Sequence, residues 1–250
     1  MTSPNRRLFD ITGADAKAFL QGLVTNDVER TADGLVYAAL LTPQGKFVAD
    51  FFLSSSGEGY LLDVAEGIAT SLVQRLNMYR LRADVTIAPS DRKVSCGLGP
   101  APSGAFADPR HPALGWRSYG SDAQVEEANW DEIRVAHTIP ETGIELTGDT
   151  YILEAGFERL NGVDFRKGCY VGQEIAARMK HKTELKKGLV TLEITGSAEV
   201  GAPITANGKP CGTLFTQAGG RAIAYLRFDR AVGTLEAGDA ILSWDGSQPS

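Results

Sequence analysis

The chain has 250 residues, 43% of them apolar and 22% charged, with 28 Gly and 11 Pro. That is an ordinary globular composition for one large domain or two modest ones, and it excludes disordered, collagen-like and disulfide-stapled classes. Lys and Arg number 25 against 31 Asp and Glu, a net charge of −6, so no direct nucleic-acid partner is expected.

Apolar runs such as 35–41 fall far short of the about 20 residues that cross a bilayer. The N-terminal MTSPNRRLFDITG carries basic residues with no uninterrupted apolar region behind them. We read a cytoplasmic protein with no membrane partner. In chain order, Ala16, Phe19, Leu20 and Leu23 fall at helical spacing behind Thr12-Gly13-Ala14-Asp15, which predicts a short helix ending near Val24 or Thr25. Runs at 36–41 and 47–53, joined by Thr42-Pro43-Gln44-Gly45-Lys46, predict a β-hairpin. A strand at 60–64, a helix through Ile68, Leu72, Leu76 and Tyr79, and an alternating stretch at 82–88 follow. Interleaved helices and strands predict an α+β layer.

Residues 97–120 are rich in Gly and Pro, which predicts a long ordered loop or internal junction. A helix within 126–138, stopped by Pro140, and a further helix capped by Asp149 or Thr150 and running through Leu153, Phe157 and Leu160 come next. Beyond Lys187, short apolar runs at 189–194, 203–206, 213–216, 221–228 and 240–244 are separated by Gly-containing turns that include Asn207-Gly208. This is the pattern of a small antiparallel barrel. The predicted division is 1–185 and 186–250.

Cys96, Cys169 and Cys211 are widely spaced, with no C-x-x-C and no His at zinc-finger spacing, so neither a disulfide framework nor a self-contained metal site is expected. Cys96 and Cys211 sit in contexts that resemble buried strands. Cys169 lies in Lys167-Gly168-Cys169-Tyr170-Val171-Gly172-Gln173-Glu174, just before a run of helix formers. At a helix N-terminus, with Arg166 and Lys167 beside it, its thiolate is favoured; equally, Cys169 can be a small packed hydrophobe between glycines. Residues 166–187 hold seven basic and two acidic side chains, a reversal of sign that reads either as a site for an anionic partner or as a solvated helix face.

That segment, with Arg178, resembles the K-G-C-Y-x-G-Q-E-x-x-x-R signature of the YgfZ family, folate-binding iron-sulfur assembly and repair proteins related to the glycine cleavage T-protein. The resemblance extends to 19–28, Leu41-Thr42-Pro43-Gln44-Gly45-Lys46, Met78-Tyr79-Arg80-Leu81-Arg82, Asp108-Pro109-Arg110 and Leu153-Glu154-Ala155-Gly156. It implies an α+β T-protein-like core with a small C-terminal antiparallel β-barrel. Its functional motif residues fall on Lys167, Cys169, Tyr170, Gln173, Glu174 and Arg178. Its folate contacts fall on Asn26, Asp27, Asp50, Tyr79, Arg80 or Arg82, and Glu154, whose carboxylate suits an aminopyrimidine edge. Residue by residue, Asn26 and Asp27 also read as turn residues, Tyr79 as core and Glu154 as an exposed helical acid.

T-proteins carry an acidic pair after the hairpin turn, whereas Ala49-Asp50 leaves one acid here. The expectation is therefore a tetrahydrofolate-binding accessory factor in iron-sulfur cluster assembly or repair, with assembly carriers or client enzymes as partners. Cys169 would face the folate cavity or its rim and perform thiol chemistry or touch a transient cluster. One thiolate does not hold a four-cysteine cluster, so other ligands would come from a second protein, glutathione or a second copy. The alternatives are a folate-dependent aminomethyl or one-carbon transferase needing Asp50, and a scaffold in which Cys169 only packs.

Overall fold

The structure is a computed structural model that describes residues 5–122, 124, 126–182 and 185–249, with the backbone alone of Lys182. The N-terminal MTSP, Glu184 and the Lys182 side chain invoked above lie outside the described residues.

The first layer is an antiparallel sheet of β1 (Arg6–Thr12), β2 (Val36–Leu41), β3 (Phe47–Ser56), β4 (Gly59–Ala65) and β5 (Thr86–Pro89), in the order β2-β3-β4-β1-β5. The hairpin pairs Ala39 with Asp50 and Leu40 with Ala49. Every residue of β2 is buried because both faces are covered. Val36, Ala38 and Leu40 pack with α1 (Ala16–Gln21) and α2 (Glu66–Arg80), while Tyr37, Ala39 and Leu41 point to a second core containing Ile139, Leu153, Phe157 and Leu160, as the two-residue period of a strand requires. The first strand was not foreseen. Its Arg6 points inward on an ion pair with Asp63, which hides the alternation of Leu8, Phe9 and Ile11.

The Gly- and Pro-rich stretch is not one loop. β6 (Lys93–Gly97), β7 (Phe106–Ala107) and β8 (Trp116–Gly120) form a sheet in the order β6-β8-β7. The most deeply buried residue of β8 is Arg117, not an apolar residue, so hydropathy conceals the strand. α3 (Trp130–Ala136) starts on Asn129, whose side chain accepts from the Glu132 amide, and ends well before Pro140. No helix runs from residue 150 to 161. Gly156 has φ +77° and Asn161 φ +54°, and amides reach back five residues from Phe157 to Ile152 and from Gly162 to Phe157. Leu153, Phe157 and Leu160 are still buried, which is why the sequence mimics a helical stripe.

After α4 (Gln173–Lys182), the chain builds a closed antiparallel barrel from β9 (Lys187–Thr195), β10 (Pro203–Ala206), β11 (Lys209–Ala218), β12 (Arg221–Arg227), β13 (Leu235–Ala237) and β14 (Ala240–Ser243). Closure leaves no free edge. The three-residue β13 is too short to stand out in the sequence. The architecture is α+β with a closed C-terminal barrel. Among the described residues no helix is long and apolar enough to cross a membrane.

Candidate functional site

A cavity of about 380 Å³ opens where the two sheets, α3 and the barrel rim meet, a volume in the range of small-molecule sites. Its walls differ in charge. On one side Arg6, Arg110 and Arg117 gather around Asp63 and Asp108. Arg6 Nε donates to Asp63 Oδ1 at 2.5 Å, Arg117 Nη1 to Asp63 Oδ2 at 3.1 Å, and Arg110 Nε and Nη2 to the two Asp108 oxygens at 3.0 and 2.8 Å. Burial opposes the Asp108 charge, but the Arg110 and Arg117 guanidiniums hold its carboxyl below the usual range. Cys96 sits opposite Arg117 in the strand register, and burial pushes its thiol up.

On the other side, Arg134 of α3 binds three carboxylates, Asp131, Glu141 and Glu145, each at 2.8 Å. Glu145 also takes the Thr216 hydroxyl of β11, so one buried guanidinium joins α3, the segment after it and the barrel. Burial raises the Glu141 carboxyl despite Arg134. Asp50 lines the cavity with Oδ2 accepting from the Tyr37 hydroxyl at 2.9 Å and Oδ1 from Thr142.

The signature cysteine belongs to a separate, outward-facing feature. Cys169 is exposed just ahead of α4, whereas Cys96 and Cys211 are buried. Its loop is pinned twice. Lys167 Nζ donates to the carbonyls of Gln21, Val24 and Asn26 at 2.8, 2.6 and 3.1 Å, so its ammonium serves the end of α1 rather than the thiol, contrary to the sequence expectation. Burial brings it down to about 8. Gly172 has φ +83°, and a Cβ there would lie 2.6 Å from the Thr42 carbonyl; one on Gly45 would lie 2.7 Å from Ile175 of α4. The two sequence landmarks, hairpin turn and cysteine motif, are thus the two halves of one close junction.

Around this loop, Tyr170 is buried with its hydroxyl unpartnered among the described residues, and burial pushes it up to about 12. Gln173 opens α4, its amide donating to the Tyr170 carbonyl, and Glu174 and Arg178 are exposed on the helix. Asn26 Nδ2 donates to the Tyr37 and Asn161 carbonyls, and Asp27 caps the 3-10 turn Val28–Ala32. Tyr79 is half-buried against the first core, and Arg80 and Arg82 are exposed at the end of α2, Arg80 donating to the Val85 carbonyl. Glu154 is buried, accepts from the Tyr225 hydroxyl at 2.7 Å and faces Lys187 at 3.5 Å. The cavity lining includes Asp50 but neither Cys169 nor Glu154, so the expected shared opening is not formed. Arg6, Cys96, Arg117 and Arg134 line it without having been singled out as site residues. Arg110 stood in the Asp108-Pro109-Arg110 landmark, and that is the one sequence signal that pointed to this wall.

Comparison with known proteins decides the family. The human iron-sulfur cluster assembly factor IBA57, mitochondrial, is 30% identical over 92% of this chain and 78% of its own. The chain belongs to this family. Fungal IBA57 homologs from Pyricularia oryzae (30% identical, 74% of this chain) and Mycosarcoma maydis (29%, 76% of this chain) match over 55% of their own length, so the chain spans about half the length of these IBA57 relatives. A family model described as the CAF17 C-terminal beta-barrel domain matches residues 186–246, the segment that closes as β9 to β14. The crystal structure of glycine cleavage system aminomethyltransferase T from Bartonella henselae superposes with a TM-score of 0.74, covering 98% of this chain and 84% of that one at 15% identity. IBA57-family membership and a shared fold with that transferase therefore sit together, as the resemblance implied. Among the described residues no group of three or more His, Cys, Asp or Glu is placed to hold a metal ion.

Proposed function

We propose that this chain is a cytoplasmic iron-sulfur cluster assembly factor that binds a reduced folate in its central cavity and presents Cys169 to an assembly carrier or client enzyme. The observation that carries the reading is the placement of Cys169: exposed, ahead of α4, on a loop fixed by Lys167 and by the Gly172–Gly45 junction. A packing cysteine has no need of either constraint. Arg166 and Arg178, exposed on the same stretch of chain, offer basic surface suited to an acidic partner. The cluster is cargo here, and one thiolate supplies one ligand, so the remaining ligands come from the partner.

The cavity residues fit a folate. Asp50 uses one lone pair on each oxygen for Tyr37 and Thr142, which leaves acceptor capacity for the paired N–H donors of an aminopyrimidine edge. Trp130 supplies a flat ring among the lining residues. When bound, a folate would supply a one-carbon carrier or a reduced pteridine; Asp50 would orient it, and the apolar and ion-paired walls would keep water out. The placement of Asp50 also supports the second reading, a folate-dependent one-carbon transferase. That reading requires turnover of an aminomethyl or formaldehyde-level donor by purified protein, abolished in Asp50→Asn.

The test of the first reading is Cys169→Ser in a strain lacking the protein. The variant is expected to retain the wild-type melting temperature and folate affinity while maturation of iron-sulfur enzymes falls at least about tenfold. Full complementation by Cys169→Ser overturns it.

A further inference from the structure

The arginine wall of the cavity has more positive charge than its own carboxylates neutralise. Arg6, Arg110 and Arg117 all lie over the Phe52 ring, at 5.5, 4.9 and 4.3 Å from its centroid, and their ion-pair partners among the described residues are Asp63 and Asp108 alone. Three guanidiniums against two carboxylates leave one buried charge in excess. Asp50, which also lines the cavity, makes no ion pair with any of them among the described residues. A buried, uncompensated charge is costly unless something pairs with it.

A second observation locates the deficit. Arg117 is 6% exposed, and its Nε–H is buried without an acceptor among the described residues. Nη1 of the same side chain is committed to Asp63 and Nη2 faces Asp108, so Nε is the donor left over on a side chain that lines the cavity. Buried donors in native structures are normally paired. Across the ladder from Arg117 stands Cys96, also lining the cavity. The opposite wall has the reverse imbalance, with Arg134 facing Asp131, Glu141 and Glu145. The cavity is therefore bipolar.

We infer that the Arg6–Arg110–Arg117 wall is an anion subsite that takes a carboxylate of the bound ligand, with Arg117 Nε–H as its free donor and Cys96 at its edge. The ligand class is a molecule with a donor-rich ring at one end and a carboxylate at the other, oriented with its carboxylate toward the small sheet and its ring toward Asp50. This rests on the folate reading for the identity of the ring, but not for the anion subsite itself.

The experiment uses the full chain and three probes: monoglutamyl tetrahydrofolate, 6-methyltetrahydropterin, which lacks a carboxylate, and 4-aminobenzoylglutamate, which lacks the pterin. Calorimetry on the wild type is expected to give tetrahydrofolate at least about tenfold tighter than 6-methyltetrahydropterin, the scale of one charge-assisted hydrogen bond. Arg117→Lys keeps the cation and removes the Nε–H, and should bring that ratio below about threefold. In parallel, methyl methanethiosulfonate labelling of wild-type Cys96, read by peptide mass with Cys211 as the buried control, should slow at least about fivefold with 4-aminobenzoylglutamate. The labelling arm stands even if Arg117→Lys fails to fold. Equal affinities for the two reduced pterins, or unchanged Cys96 labelling, overturns the subsite and leaves the folate reading intact. Protection by 4-aminobenzoylglutamate with no binding of either pterin upholds the subsite and overturns the folate reading.

Discussion

Arg134→Met should unfold the junction between barrel and core more than any loss of contact area would suggest. Arg134 is 7% exposed, and its guanidinium makes 2.8 Å contacts to Asp131, Glu141 and Glu145, with Nε donating to the Ile139 carbonyl at 3.2 Å. Glu145 is the decisive partner. Its side chain is 0% exposed, and after the substitution it keeps only neutral donors, the Glu141 amide and the amide and hydroxyl of Thr216. Stranding a buried carboxylate costs about 3 to 5 kcal/mol, a large part of the 5 to 15 kcal/mol that typically separates folded from unfolded chains. At about 2 to 4 °C per kcal/mol for a chain of this size, the melting temperature should fall by about 6 to 20 °C. Arg134→Met with Glu145→Gln removes the stranded charge and should recover at least about 1 kcal/mol of the loss, although it adds a second substitution. Urea unfolding of the three proteins at pH 7.5 measures both quantities. A single variant within about 1 kcal/mol of wild type, or a double variant less stable than the single one, would refute the account of Glu145 as a charge that Arg134 alone neutralises.

Gly172→Ala should cost about 1 to 3 kcal/mol, because φ is +83° and the new Cβ would lie 2.6 Å from the Thr42 carbonyl; it should also change the rate at which Cys169 reacts with a thiol reagent, measured before any unfolding. Lys167 carries a pH signature. Burial holds its ammonium at about 8, below the ordinary 10.5, so between those values the folded chain has released a proton that the unfolded chain retains. Stability should therefore rise with pH across that window, and the rise should be absent from Lys167→Met in melts taken from pH 7.5 to 10.5; parallel curves for the two proteins count against it.

The parts of the fold that were readable from sequence are those where hydropathy does the specifying. The hairpin at 36–53 is a pair of apolar runs covered on both faces, and α2 and most barrel strands bury apolar side chains at the period of their element. The unread parts are specified by other forces. β1 and β8 turn arginines inward onto Asp63, and residues 150–161 are wound by a left-handed Gly156 and five-residue reach-backs while still burying Leu153, Phe157 and Leu160. The same cause hid the cavity. Its charged wall comes from β1, β4, β8 and the Asp108–Arg110 loop, which lie far apart in the chain, and beyond the local Asp108–Arg110 pair the matching of arginine to carboxylate is a tertiary fact that no spacing rule encodes. The cysteine motif was readable because its residues are contiguous, a glycine turn leading directly into a helix, although the contacts that pin it, to residues 21–26 and to Thr42, are long-range.

Cavity and thiol occupy different parts of the molecule, yet a short run of hydrogen bonds joins them. Asp50, in the cavity wall, accepts from the Tyr37 hydroxyl; the Tyr37 carbonyl accepts from Asn26 Nδ2; the Asn26 carbonyl accepts from Lys167 Nζ, two residues before Cys169. Asp50, Asn26 and Tyr37 are each 5% exposed or less, so solvent does not screen or loosen these links. Asn26 and Lys167 also explain how residues can belong to a family signature without lining this cavity. Asn26 Nδ2 and Lys167 Nζ donate to main-chain carbonyls on separate segments, and such bonds fix distances between segments. The geometry assigns them to setting where the thiol stands relative to the cavity wall, a positioning task that needs the length and terminal nitrogen of lysine at 167, since three carbonyls converge on that one atom.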